Sequence, residues 1–285
     1  MALRSPLLNV MVAAAQKAAK GLIRDFGELE QLQVSKKGPA DFVSRADRKA
    51  EQVLRFELSK ARPAYGLLLE ESGEIAGTDT SNRWIVDPLD GTTNFLHGIP
   101  HFSISIALER DGEVFAGVIY SPVHDEMYVA ERGGGAFLNG RRLRVSGRAR
   151  MDEALFATGI PFKGIDNHAL FVAQLREVMA VAAGVRRFGS AALDLAYVAA
   201  GRYDGYWENG LQPWDIAAGI LLVREAGGFV SDLAGGKRML AGGGILATNS
   251  QLHDALGTLI RRTPPTHSAA DGPAGETAAL AIETR

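Results

Sequence analysis

The sequence predicts a mixed α+β fold with an antiparallel meander in its N-terminal part, and three observations carry that reading. Apolar residues recur at helical spacing near the N-terminus (Leu8, Val12, Ala15, Ala19, Leu22, Phe26). From Phe102 the period changes to two: Phe102, Ile104, Ile106 and Leu108 alternate with smaller or polar residues, and Asp111-Gly112 is a hairpin turn before Val114 to Tyr120. Beyond about residue 150, helical stretches alternate with short apolar runs.

In chain order, the first helix gives way to Ser35 to Ala40, read as a loop or tight turn from Lys36, Lys37, Gly38 and Pro39. A second helix begins near Ser44, its candidate cap, with Asp47 in the first turn where a carboxylate suits the helix dipole. Its apolar face is Ala46, Ala50, Val53, Leu54 and Ala61, and Pro63 closes it. Leu67 to Leu69 and Trp84 to Val86 are short strands ending in Glu70-Glu71 and Asp87. Asp125 to Ala130 and Gly135 to Leu138 continue the meander, with Asn139-Gly140 as a further turn. Helices follow at Ala169 to Ala182, Ser190 to Ala200, Trp214 to Ala226 and Gln251 to Arg261, with strands at Gly205 to Glu208 and Ile245 to Thr248. Residues 1–262 read as one domain with halves meeting near 150, and 263–285, rich in Pro, Ala, Thr, Gly and Ser, as a disordered tail.

Composition bounds the function. The 285 residues are 46% hydrophobic and 22% charged, ordinary for a folded protein with a real core. The absence of cysteine excludes disulfides, thiolate metal sites, Fe–S clusters and a thiol nucleophile. With 31 Lys and Arg against 33 Asp and Glu, the net charge of −2 provides no bulk attraction to nucleic acid or anionic membrane. The longest apolar runs, such as Ile216 to Val223, fall far short of a membrane span, and Asn9, Gln16 and Lys17 argue against a signal peptide. A cytoplasmic protein is the default expectation.

The chemistry concentrates in Trp84-Ile-Val-Asp87-Pro-Leu-Asp90-Gly-Thr-Thr-Asn94-Phe95. An apolar strand delivers two carboxylates on a rigid turn, and hard divalent cations prefer such oxygen ligands. The N–H groups of Gly91 and Thr92 on the same turn suit an anion. Glu70-Glu-Ser-Gly73 and Asp215, at the head of an apolar helix, are further acidic points. Singly, each has a plain explanation: a helix cap, a solvated turn, a common turn dipeptide. Drawn together, Glu70, Asp87, Asp90 and Asp215 repel one another severely unless cations neutralise them, which predicts two or more Mg²⁺ ions.

The run Asp87-Pro-Leu-Asp-Gly-Thr-Thr-Asn94 resembles the first signature of the inositol monophosphatase family of Mg²⁺-dependent, lithium-sensitive sugar phosphatases. Trp214-Asp-Ile-Ala-Ala-Gly219, followed by Glu225-Ala-Gly-Gly228, resembles the second, and Gly189-Ser-Ala-Ala192 the segment between. The resemblance implies a layered αβαβα sandwich, usually a homodimer, binding two or three Mg²⁺. It implies that Glu70, Asp87, the Leu89 carbonyl, Asp90 and Asp215 ligate metal, and that Thr92, oriented by Asp47 and assisted by Glu70, positions the attacking water. Gly91 and Thr92 then take phosphate oxygens. Asp90, Gly189, Ser190, Ala191, Glu208 and Asp215 contact substrate, and Lys36 is the positional match for a basic loop residue near phosphate.

The implied reaction is hydrolysis of a small phosphate monoester, myo-inositol monophosphate first. Relatives of the family extend the alternatives to fructose 1,6-bisphosphate, histidinol phosphate and nucleotide phosphates. A reading of another class, a regulator binding RNA or the transcription machinery, rests on the basic run Arg141, Arg142, Arg144, Arg148 and Arg150 alone. His97 and His101 read as loop residues rather than ligands.

Overall fold

The computed structural model describes residues 5–28, 34–38, 41–161 and 167–262, with side chains described outside 34–44. Helix α1 (Pro6–Gly27) starts where Ser5 Oγ accepts the Leu8 N–H at 3.2 Å and Pro6 occupies the first turn, whose N–H groups have no intrahelical acceptor. Strands β1 (Val34–Gly38) and β2 (Asp41–Ser44) form an antiparallel pair. This corrects the loop expected at Ser35 to Ala40: most of it is strand, because Val34, Phe42 and Val43 on its flanks favour an extended ladder over a free turn. Helix α2 (Arg45–Ala61) follows, and the side chain of its expected cap, Ser44, lies outside the described residues.

Eight strands make the first sheet. They are β3 (Tyr65–Leu69), β4 (Gly73–Ile75), β5 (Asp79–Asp90), β6 (Ser103–Arg110), β7 (Glu113–Ser121), β8 (Glu126–Glu131), β9 (Gly135–Leu138) and β10 (Arg141–Arg142), with α3 (Thr92–Leu96) between β5 and β6. The spatial order is β10-β9-β8-β7-β6-β5-β3-β4. From β5 to β10 each strand pairs antiparallel with the next, so the meander stands as expected; only β3 and β5 run parallel.

The second sheet, ordered β12-β11-β13-β15-β14, collects β11 (Leu155–Thr158), β12 (Gly184–Arg186), β13 (Gly205–Glu208), β14 (Phe229–Ser231) and β15 (Ile245–Thr248). Its helices are α4 (His168–Met179), α5 (Ala191–Ala199), α6 (Pro213–Glu225), the short α7 (Met239–Gly242) and α8 (His253–Arg262).

Alternation along the strands sorts these elements into five layers. Trp84, Val86, Ile106, Leu108 and Val118 face α1 and α2, burying Met11, Ala15, Leu22, Leu54 and Leu58. Ile85, Ala107 and Ile119 point the other way, onto Leu193, Ala196, Ile216, Ile220 and Val223 of α5 and α6. Tyr206, Ile245 and Ala247 close that middle core from the second sheet. Phe156, Trp207 and Leu246 bury against Val178 of α4 and Leu256 and Ile260 of α8. The order helix, sheet, helix, sheet, helix is the expected sandwich. Helix α6 is apolar nearly all round because it lies between the sheets.

Candidate active site

The first carboxylates sit where the β5 ladder breaks. Strand β5 does not stop at Asp87, as its apolar run suggests, but continues to Asp90, with an irregularity in its pairing to β6 between the two. Pro88 lacks an N–H, and the Leu89 N–H turns back to Asp87 Oδ1 at 2.9 Å. Both aspartates are buried, at 2% and 8% exposure, on one short kink.

Gly91 adopts φ +94°, and a Cβ there would lie 3.0 Å from the His101 carbonyl oxygen and 3.3 Å from that of Gly189. Only glycine lets these segments close in. Helix α3 begins next, so the Thr92 N–H has no intrahelical acceptor. The Thr92 hydroxyl lies 3.0 Å from both Asp47 Oδ1 and the Leu89 carbonyl oxygen. Asp47, fully buried in the first turn of α2, thus reaches β5 across the layer. Asn94, within the same motif, is structural: its Nδ2 donates to the carbonyls of His101 (2.8 Å) and Phe188 (2.7 Å), fastening α3 to the loop before α5.

The N-terminus of α5 is aimed at Asp90. The Ser190 hydroxyl and the Ala192 N–H (2.9 Å) both donate to Asp90 Oδ2, and Ser190 also caps α5 through the Leu193 N–H. Ser190, expected to touch substrate, is here engaged with this carboxylate.

Asp215 is at once a cap and a member of the acidic group. It forms a capping box with Gln212, its Oδ2 accepting the Gln212 N–H at 2.7 Å. Ser105 of β6 holds the Trp214 carbonyl at 3.1 Å, fixing the head of α6 against the first sheet. Glu208, at the end of β13, accepts from the Tyr206 hydroxyl. It lies flat against Gly159, where a Cβ would fall 1.9 Å from its carboxylate. Sequence reasoning missed Gly159, since an isolated glycine after a strand carries no signal of what lies over it.

Electrostatics ties these groups together. Burial, then Glu70, Asp90 and Asp215, hold the Asp87 carboxyl well above its usual range, and Glu70 also contacts it through a hydrogen bond. Burial pushes Asp90 up to about 6 against the Ser190 and Ala192 bonds. Burial and then Asp90 raise Asp215. Burial raises Glu208 to about 7.

Each acidic group therefore feels the others as an unneutralised charge. Among the described residues, no three acidic or imidazole side chains converge on a single point, and Asp90 and Asp215 lend oxygens to α5 and to the capping box. The donor set is nonetheless all oxygen, buried and mutually repelling, which fits hard divalent cations and no softer metal. Lys36 falls within β1, and its side chain lies outside the described residues.

Fold and site together define a five-layered α+β sandwich enzyme whose acidic centre lies where β5, α2, α5 and α6 meet. Residues 3–264 match the inositol monophosphatase family, and the chain belongs to it. It is 61% identical over 259 residues to an inositol-1-monophosphatase of Mesorhizobium japonicum, covering 91% of this chain and 97% of that one. A Pseudomonas aeruginosa protein named Nus factor SuhB is 47% identical over 265 residues, 91% of this chain and 98% of its own. The crystal structure of extragenic suppressor protein suhB from Bartonella henselae superposes with a TM-score of 0.88 at 58% identity, covering 90% of this chain and 99% of that one.

Proposed function

We propose that the chain is a Mg²⁺-dependent phosphatase that hydrolyses a small phosphate monoester, with myo-inositol monophosphate as the first substrate. The observation that carries this is the Asp47–Thr92–Leu89 hydrogen-bonded group set beside buried, mutually repelling carboxylates. Glu70, Asp87, the Leu89 carbonyl, Asp90 and Asp215 are the residues to hold two or three Mg²⁺. Bound there, Mg²⁺ neutralises charge on the phosphoryl oxygens and makes water a better nucleophile at neutral pH.

The protein's own groups do the positioning. The Thr92 hydroxyl has one proton, which it shares with Asp47 Oδ1 and the Leu89 carbonyl, so its lone pairs remain to accept from the attacking water. Glu70 assists as the acceptor of the water's proton. The N–H groups of Gly91 and Thr92 face the phosphate, and Glu208 accepts from adjacent hydroxyls of a polyol ring. Direct attack by water needs no phosphorylated side chain and no histidine. Homodimerisation, the family expectation, and a cytoplasmic location, the default one, complete the reading. No helix among the described residues is long and apolar enough to cross a membrane.

Phosphate release from inositol 1-phosphate, fructose 1,6-bisphosphate, histidinol phosphate and nucleotide monophosphates tests the substrate. Inositol 1-phosphate should give the highest kcat/KM, and a tenfold preference for any other ester would displace it.

A second reading, a transcription-machinery regulator, is favoured by the Nus factor relative. The basic run offers it less than its sequence suggests. All five arginines are exposed, but Arg148 pairs with the buried Asp204 at 3.3 Å and Arg150 with Asp152, leaving Arg141, Arg142 and Arg144 without an ion pair among the described residues. Charge reversal at Arg141 and Arg142 should weaken RNA binding while sparing hydrolysis, and absence of RNA binding by the unaltered chain ends this reading.

A further inference from the structure

A groove of about 870 Å³ runs along α6, lined by Pro213 at its head, Ile220 in its middle and Arg224 in its last turn. Arg224, in the last turn of α6, lies beyond Asp215 by about 14 Å along the axis at 1.5 Å per residue. It lines the groove together with Lys237 and Arg238, which precede α7. The Asp232 carboxylate accepts the Gly236 N–H at 2.7 Å and the Arg238 N–H at 3.1 Å, so the turn carrying both cations is pinned rather than loose.

The cations are not there to balance acids. The groove's carboxylates are already taken: Glu109 by the Arg83 guanidinium, and Glu113 by Arg132 at 3.1 Å. Among the described residues, the side chains of Arg224, Lys237 and Arg238 have no hydrogen-bond or ion-pair partner. Three positive charges without a side-chain ion pair thus line one concavity of a chain whose net charge is −2, with the Asp232 carboxylate turned to the backbone N–H groups of Gly236 and Arg238 beside them.

The rest of the lining is apolar. Val114, Ile220 and Met239 form its buried or nearly buried part, and Phe229 is 54% exposed at its edge.

We propose that this groove is a second ligand site, which takes a nucleoside diphosphate. The volume lies within the roughly 300–1,000 Å³ of small-molecule sites. Three cations from two segments match a diphosphate better than a single phosphate, which would leave the apolar lining empty. Phe229 offers a face for the base, and guanidinium groups grip phosphate oxygens bidentately.

The test is calorimetric titration of ADP into the full chain at low salt with EDTA, which keeps divalent cations, and with them phosphate, away from the acidic centre. Inorganic phosphate is the comparison. We expect one saturable ADP site per chain, weakened at least tenfold in the Arg224→Ala/Lys237→Ala/Arg238→Ala variant and unchanged in Asp87→Asn. Phe229→Ala should weaken ADP and leave inorganic phosphate unaffected, the pattern of a base held on the ring. All four substituted groove residues are exposed, so the variants should fold. Lack of saturation at millimolar ADP, binding that survives the triple variant, or binding lost in Asp87→Asn each overturns the proposal. An acidic peptide that binds through the three cations where ADP does not would also overturn it, in favour of a protein partner.

Discussion

In metal-free protein, folding stability should fall as pH rises from about 4 to about 7, the reverse of the usual behaviour of carboxylates. Burial pushes Asp90 from 3.8 up to about 6 and Glu208 from 4.5 up to about 7. In that window the folded chain keeps protons that the unfolded chain has lost, so its stability is fullest below the unfolded values and is lost as pH climbs through the folded ones. At 1.36 kcal/mol per pKa unit, Asp90 costs about 3 kcal/mol and Glu208 a similar amount. Their combined ~6 kcal/mol is a large share of the 5–15 kcal/mol typical of a domain.

Asp87 and Asp215 shift in the same direction and steepen the loss. The assay is urea unfolding in EDTA at pH 5, 6, 7 and 8, repeated with millimolar Mg²⁺, which should flatten the slope. Asp87→Asn keeps an acceptor for the Leu89 N–H while removing a charge. It should raise metal-free stability at pH 8 and change little at pH 5. Metal-free stability that is level or rising between pH 5 and 8 would refute the reasoning.

Four further outcomes follow from the geometry. Thr92→Ala and Asp47→Asn should each lower kcat by about 10²–10⁴ with little change in KM, since both position the nucleophile rather than grip substrate; steady-state kinetics checks this. Gly159→Ala puts a Cβ 1.9 Å from the Glu208 carboxylate, so Glu208 must move and KM for inositol 1-phosphate should rise about tenfold, while a change confined to kcat would contradict its assigned role. For the same substrate, KM should rise as pH falls toward the Glu208 carboxyl's burial-raised range, and Glu208→Gln should flatten that profile. Glu225 accepts the N–H groups of Gly133 (2.8 Å) and Gly135 (2.7 Å), so Glu225→Ala should cost about 1–2 kcal/mol in urea unfolding and leave kcat intact.

Much of this was legible in the sequence because period and turn chemistry are local. The meander is written in the alternation from Phe102 to Leu108 and in Asp111-Gly112, whose positive φ values of 52° and 78° suit a two-residue hairpin. Strands β13 and β15 fall where their apolar runs stand. The β1–β2 pair was hidden because Lys36, Lys37, Gly38 and Pro39 read locally as a turn, while pairing depends on Phe42 and Val43 beyond it.

In the site, the acidic residues announced themselves, but their partners did not. The Ser190 and Ala192 contacts to Asp90 span about a hundred residues, and nothing local encodes them. Asp215 is instructive in another way. Cap and functional carboxylate read as rivals in the sequence, yet the capping box uses Oδ2 while the carboxyl still feels the Asp90 charge, so one residue serves both. Glu225, quoted within a signature, proves to clamp the β8–β9 turn to the end of α6.

The most direct measurement is phosphate release from inositol 1-phosphate by the unaltered chain and by Asp215→Asn, each with Mg²⁺ and with EDTA. The account predicts turnover only in the unaltered chain with Mg²⁺, and none in EDTA. Turnover that persists in EDTA, or that Asp215→Asn leaves intact, would contradict it.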